Sequence, residues 1–269
     1  MIELRDVYYS YNGEDVLRDI SFRIFEGDRV VLLGPNGSGK TTLLKILNGL
    51  IFPKKGAYFY KDIEIKEKTL KDKNINRWFR KEVVLLFQNP EVMLFNPTVY
   101  DEIAFSLRQL GMEERMIKEE VHYWTERLDL MSFLNRPPYE LSGGQKQRLC
   151  IACLLALRPK VLLLDEPTAN LDSKTTQLLI ELLWDMEITS LVATNNLNLV
   201  QDLGNKLLVL GEDHTILYYG EMKDFLEDKD MKKLKRKKEK KACFKSFSFL
   251  SMGDSIKNTS KRTKAIKSV

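Results

Sequence analysis

The stretch Gly34-Pro35-Asn36-Gly37-Ser38-Gly39-Lys40-Thr41 constrains this chain more than any other. It follows the apolar run Val30-Val31-Leu32-Leu33 and opens into Thr42-Leu43-Leu44-Lys45-Ile46-Leu47. A strand, a glycine-rich turn and an amphipathic helix thus come in order, with the spacing G-x-x-x-x-G-K-T. Glycines at 34, 37 and 39 admit backbone conformations that a Cβ forbids and turn several N–H groups inward. A helix beginning near Gly39 adds the positive end of its dipole, which makes the turn a ready anion site. In such a turn Lys40 reaches terminal phosphates and the Thr41 hydroxyl ligates Mg²⁺. The bland alternative is an ordinary glycine turn, which the flanking strand and helix disfavour.

A chain of 269 residues has room for one large α/β domain, or for a domain with an appendage. Hydrophobic residues at 43% and charged residues at 30% are the proportions of a chain with a real core. No run approaches the roughly 18 apolar residues of a membrane span, and the chain opens on a strand pattern rather than a secretory signal. Three cysteines make no disulfide framework, which fits a reducing compartment. The net charge of +5 is unevenly spread. Between Lys229 and Val269 stand 15 Lys/Arg against 3 acids, leaving 28 basic against 35 acidic residues in the remainder. The body is mildly acidic and the basicity belongs to a tail, so body-wide nucleic-acid binding loses its support.

Residues 2–11 alternate as an edge strand should, Asn12-Gly13 signals a turn, and Val16 to Ile24 read as a return strand. Tyr11 in that hairpin either covers the sheet or offers its ring to a nucleotide base. Ala57 to Tyr60 form another strand, and Val83 to Phe87 a buried one ending at Gln88. A polar residue at the carboxyl end of a buried strand faces the ligand crevice of an open α/β sheet, where Gln88 can ligate Mg²⁺ or hold a water. Glu102–Leu110, Glu113–Arg127 and Leu128–Leu134 are helix-like, so a helical insertion is expected between strands. Leu141-Ser142-Gly143-Gly144-Gln145-Lys146-Gln147-Arg148 then feeds a helix to about Leu157 and offers a second anion-binding helix start. Val161 to Leu164 deliver Asp165 and Glu166 at a strand end. Two adjacent carboxylates there make most sense beside a cation, with Asp165 on the Mg²⁺ side and Glu166 polarising an attacking water. Asn170-Leu171-Asp172 reads as a turn, Thr175–Met186 as a helix, Ser190–Thr194 as a strand, and Leu207–Leu210 with Thr215–Tyr219 as a hairpin. The alternation implies a mostly parallel, right-handed α/β sheet.

Taken together these residues resemble the ATP-binding-cassette family over roughly residues 1–225. GPNGSGKTT at 34–42, ending on Thr42, resembles its Walker A motif, and Gln88 its Q-loop. LSGGQKQR at 141–148 resembles its signature, LLLDE at 162–166 its Walker B, and ANLD at 169–172, with Asp172, its D-loop. Tyr11 stands where that family stacks an aromatic ring on adenine. The resemblance implies a P-loop NTPase fold with an N-terminal antiparallel β subdomain and a helical subdomain inserted at about 89–158. It implies an ATPase domain over 1–228 and a basic tail over 229–269. It also implies ATP and Mg²⁺ as ligands, at the cytoplasmic face of a membrane. Each ATP would lie between the Walker A of one subunit and Ser142–Gln145 of a second, identical or different ATPase subunit, driving an integral membrane partner. Residues 87–105 further resemble the ATPase subunits of energy-coupling-factor and cobalt/nickel-type importers, whose cargo is a transition-metal ion or a vitamin.

One departure stands out. Where the family carries a histidine after Ala193-Thr194, this chain has Asn195, and His122 and His214 lie elsewhere. An asparagine can donate to phosphate but cannot relay a proton as imidazole does. A transport ATPase is the first reading, therefore, and a nucleotide-gated partner with a slow site the second. A soluble cassette acting on nucleic acid or the ribosome is the third, and the importer-like residues 87–105 argue against it. Cys150 and Cys153 have redox spacing but no second ligand pair, and are expected in a core, as are Tyr123, Trp124 and Trp184. The lysine-dense segment 229–241 is read first as a solvated tail, next as a contact with anionic lipid headgroups or a membrane subunit's cytoplasmic face, and last as a nucleic-acid contact.

Overall fold

The computed structural model describes residues 1–169 and 171–226. The basic tail at 229–269, with Cys243, and Asn170 lie outside the described residues. The chain starts with β1 (Ile2–Tyr11) and β2 (Glu14–Ile24), joined at Asn12 and Gly13, both with positive φ. Next come β3 (Arg29–Leu33), α1 (Lys40–Leu47), β4 (Lys55–Tyr60), β5 (Ile63–Glu64), α2 (Lys73–Glu82) and β6 (Val83–Leu86). The insertion holds α3 (Val99–Gln109) and α4 (Glu114–Arg127), and α5 (Gly143–Ala156) leads back to the sheet. The chain continues through β7 (Val161–Asp165), α6 (Ser173–Asp185), β8 (Thr189–Ala193) and α7 (Val200–Leu203). It ends with β9 (Lys206–Leu210), β10 (Ile216–Glu221) and α8 (Met222–Leu226).

Two sheets result. One is antiparallel, in the order β2-β1-β4-β5, and the other runs β10-β9-β3-β8-β7-β6. In the second sheet every pairing is parallel except that of β9 with β10. This is the mixed α/β architecture the sequence implies, with one correction. β1 is an interior strand, paired with β2 on one side and β4 on the other. Gly56 makes this possible. A Cβ there would sit 2.2 Å from the Asp6 carbonyl oxygen, so only a glycine lets β4 close against the irregular middle of β1.

The parallel strands are buried on both faces, which explains their unbroken apolar runs. Val30 and Leu32 pack with α1 and the antiparallel sheet, against Leu43, Leu47, Tyr58 and Tyr60. Val31 and Leu33 face the opposite core with Leu162, Leu164 and the inserted helices. Burying each such leucine or valine contributes about 1.5–3 kcal/mol. Several local expectations give way to the structure. Leu128–Leu134 forms only the short turn Met131–Phe133, because α4 stops at Arg127 and Asp129 takes φ 54°. Phe87 lies beyond β6, and Thr194 beyond β8. α6 begins two residues before Thr175, where Asp172 caps it. Among the described residues no helix is long and apolar enough to cross a membrane.

Candidate functional site

Because β3, β6, β7 and β8 run parallel, their carboxyl ends open on one edge of the sheet. That edge carries a cavity of about 410 Å³. Asn36, Gly37, Gly39, Lys40, Thr41 and Thr42 line one wall. Gln88 from the end of β6, Asp165 and Glu166 from β7, and Asn195 from β8 line the rest. Residues scattered over the sequence thus converge because strand ends do.

α1 starts without a side-chain cap, at Gly39 in the left-handed region with φ 102°. A Cβ at Gly39 would sit 2.5 Å from the Val16 carbonyl oxygen, so β2 closes directly over the turn. Val16 itself lines the cavity, a contact with no signal in the sequence beyond the hairpin. Lys40 is buried, its Nζ donating to the carbonyls of Gly34 at 2.8 Å and Pro35 at 3.2 Å. Ser38 Oγ is buried with no partner among the described residues, an orphaned polar atom inside a turn shaped for an anion.

The Thr41 hydroxyl donates to Asp165 Oδ2 at 2.7 Å. Glu166 takes φ 47°, its N–H bonded to the Ala193 carbonyl at 2.9 Å. Glu166 Oε2 accepts from the Asn195 N–H at 3.1 Å, while Oε1 is buried and unpartnered. Burial raises both carboxyls above the usual carboxylate range; the Thr41 hydroxyl at Asp165 and the Asn195 N–H at Glu166 pull the other way. A cation would relieve that cost. Among the described residues no group of three or more His, Cys, Asp or Glu could hold a metal. Mg²⁺ fits nonetheless, since it keeps waters and substrate phosphates and needs few protein ligands. The Thr41 hydroxyl, the Asp165 carboxylate and Gln88 are the set at hand. The Asn195 side chain donates through Nδ2 to Asn36 Oδ1 at 2.9 Å, and neither His122 nor His214 lines the cavity.

Other candidates lie apart from it. Tyr11 does not line the cavity; it is 43% exposed, edge-on to Tyr9 with ring centroids 4.9 Å apart. Ser142, Gly143, Gly144 and Gln145 do not line it either. They open α5 through a capping box, with the Ser142 N–H donating to Gln145 Oε1 at 2.8 Å and Ser142 Oγ accepting from the Gln145 N–H. Asp172 caps α6 by accepting from the Thr175 N–H at 2.7 Å, and that bond lowers its carboxyl. Cys150 is fully buried, its thiol pushed up to about 12 by burial, as a core residue should be. Trp124 is also core, whereas Tyr123 and Trp184 are partly exposed and covered by the guanidiniums of Arg127 and Arg29.

Comparison with known proteins agrees with this geometry. Residues 17–169 match the ABC transporter family. An ATP-binding protein assigned to an ABC transporter in Methanosarcina acetivorans is 43% identical over 85% of this chain and 85% of its own. The nickel import ATP-binding protein LarO of Lactiplantibacillus plantarum is 37% identical over 80% of this chain and 91% of its own. The solved structure of CbiO1 from Clostridium perfringens, part of the ABC transporter complex CbiONQ, superposes with TM-score 0.73 at 28% identity, covering 88% of this chain and 94% of that one. A family match over more than half of the sequence, around a cavity built from its own Walker motifs, means that the chain belongs to the ABC transporter family as one of its ATP-binding, ATP-hydrolysing subunits.

Proposed function

We propose that this chain is the ATPase subunit of an importer for a transition-metal ion or a vitamin, held at the cytoplasmic face of a membrane by an integral partner. The observation that carries the reading is the meeting of Lys40, Thr41, Gln88, Asp165 and Glu166 around one cavity. The triphosphate lies in the amides of residues 34–41, with Lys40 turning from its two carbonyls to the terminal phosphates. Thr41, Asp165 and Gln88 would hold Mg²⁺, which would supply neutralising charge at those phosphates. Glu166, its Oε1 already lacking a partner, accepts a proton from the attacking water. Tyr11 stacks on the base from the β1–β2 hairpin.

The signature face does not line this chain's own cavity, which leaves it available to the nucleotide of a second ATPase subunit, the role the family resemblance implies. The membrane partner docks beside Gln88. There Val92 is 68% and Phe95 69% exposed, and Phe95 packs edge-on against Phe105. Exposed apolar side chains in one place suit an amphipathic helix. Metal cargo draws on the kinship to LarO and CbiO1. Purification of the chain from membranes tests the assignment: it brings an integral subunit with it, and deletion of the gene lowers uptake of nickel or cobalt. A chain recovered alone from the soluble fraction, with uptake unaltered, contradicts it.

A second reading follows from Asn195. Its amide is committed to Asn36 and cannot relay a proton. The site then binds ATP but turns it over slowly, and a different ATPase subunit supplies the fast site. Single-turnover hydrolysis should speed up in Asn195→His; an unchanged rate removes this reading.

A further inference from the structure

Gln147 is nearly fully buried on α5, at 1% exposure. Its Nε2 donates to the Pro167 carbonyl at 3.2 Å, while its Oε1 has no partner among the described residues. A buried acceptor without a donor is costly, and an apolar chain of similar length would fill the same space without that cost. Packing alone therefore does not account for an amide here. What the amide holds is the residue immediately after Glu166.

The Glu166 backbone needs holding. A non-glycine residue with φ 47° stays in that region only when its surroundings over-determine it. Three restraints meet on this short loop. The Glu166 N–H bonds to the Ala193 carbonyl, the Ala169 N–H bonds to the Glu166 carbonyl at 3.2 Å, and Gln147 grips Pro167. Only the last comes from a helix outside the sheet edge. The neighbouring residue on α5 ties off a second loop, Lys146 Nζ pairing with Glu91 at 2.6 Å, just beyond Gln88. Adjacent residues of α5 thus reach the loops that follow Gln88 and Glu166.

We propose that Gln147 is a positioning residue for ATP hydrolysis: its amide ties α5 to the Pro167 carbonyl and so holds the Glu166 carboxylate against the attacking water. The proposal rests on Glu166 acting as the base. Because α5 begins at Gly143, it also links the signature face to the base of the same chain's own site, through one turn of helix and the Gln147–Pro167 hydrogen bond.

The test compares Gln147→Leu and Gln147→Met in the full chain. Both keep volume and remove the donor. Turnover falls roughly tenfold or more, as a small misplacement of a reacting group allows, while KM for MgATP stays within about twofold and melting temperature holds. In a Glu166→Gln background the same changes alter residual turnover by less than about twofold, because the group they position is gone. Amide exchange at Glu166 and Ala169, read without nucleotide, becomes faster in both variants. Turnover unchanged in both, a loss that persists in Glu166→Gln, or unchanged exchange overturns the proposal. A wild type that binds MgATP without hydrolysing it strikes the ATPase assignment instead, and amide exchange then decides for or against the role of Gln147.

Discussion

Two helices of this protein begin at glycines, and they begin differently. α1 starts at a left-handed Gly39 with no side chain capping it, and its first residues line the cavity. α5 starts at Ser142, whose hydroxyl and N–H are both taken up by Gln145 in a capping box. The first arrangement is an anion site that needs its ligand. The second is a helix end already satisfied within the chain, with glycines at 143 and 144 leaving a bare face. A Cβ on Gly143 would meet nothing within 4 Å. Nothing within the described chain therefore requires a glycine at this position. One helix start opens on the cavity, and the other stands apart from it with its cap satisfied within the chain.

The contrast breaks first at Lys40. Lys40→Ala should lower MgATP affinity by about 100-fold or more, since it removes charge-assisted bonds in a buried setting, and calorimetry reads this directly. Glu166→Gln leaves affinity intact but cuts turnover by about 10²–10⁴, the usual worth of a positioned general base. Gly143→Asp sharpens the comparison most. The side chain fits within the chain and its charge suits a helix N-terminus, so melting temperature and MgATP affinity stay as they were. Turnover falls by about tenfold or more, because a carboxylate then faces the partner's triphosphate.

Acidity gives a smaller effect with a fixed sign. Burial raises the Glu166 carboxyl, so the base is neutralised at a higher pH than an ordinary glutamate. Turnover is present above that raised value and lost as pH falls through it. Asn195→His adds a second titration near 6.5 that the wild type lacks. Ser142→Ala should do least, costing about 1 kcal/mol of cap energy, a drop of about 2–4 °C in melting temperature.

Much of this was legible beforehand. The runs at Val30, Val83, Val161 and Leu191 name the central strands because a two-sided core demands continuous apolar residues. The strand ends name Gln88, Asp165, Glu166 and Asn195, since in a parallel sheet they share one edge. What escaped depends on contacts between distant segments. α2 carries Trp78 and Phe79 among charges, and Phe79 is buried with Tyr58 and Tyr60 of β4 edge-on to its ring. β1 reads as an edge strand until Gly56 lets β4 pair with it. The Asn195–Asn36 bond joins residues at the ends of β8 and β3, and the grip of Gln147 on Pro167 joins α5 to the end of β7; no local pattern announces either.

The most direct trial of the two-helix account is a calorimetric titration of MgATP into the full chain, its Lys40→Ala variant and its Gly143→Asp variant. The account predicts one saturable site per chain, unchanged in Gly143→Asp and lost in Lys40→Ala. Binding that survives without Lys40 but fails with Gly143→Asp would contradict it, as would a wild type that takes up no nucleotide.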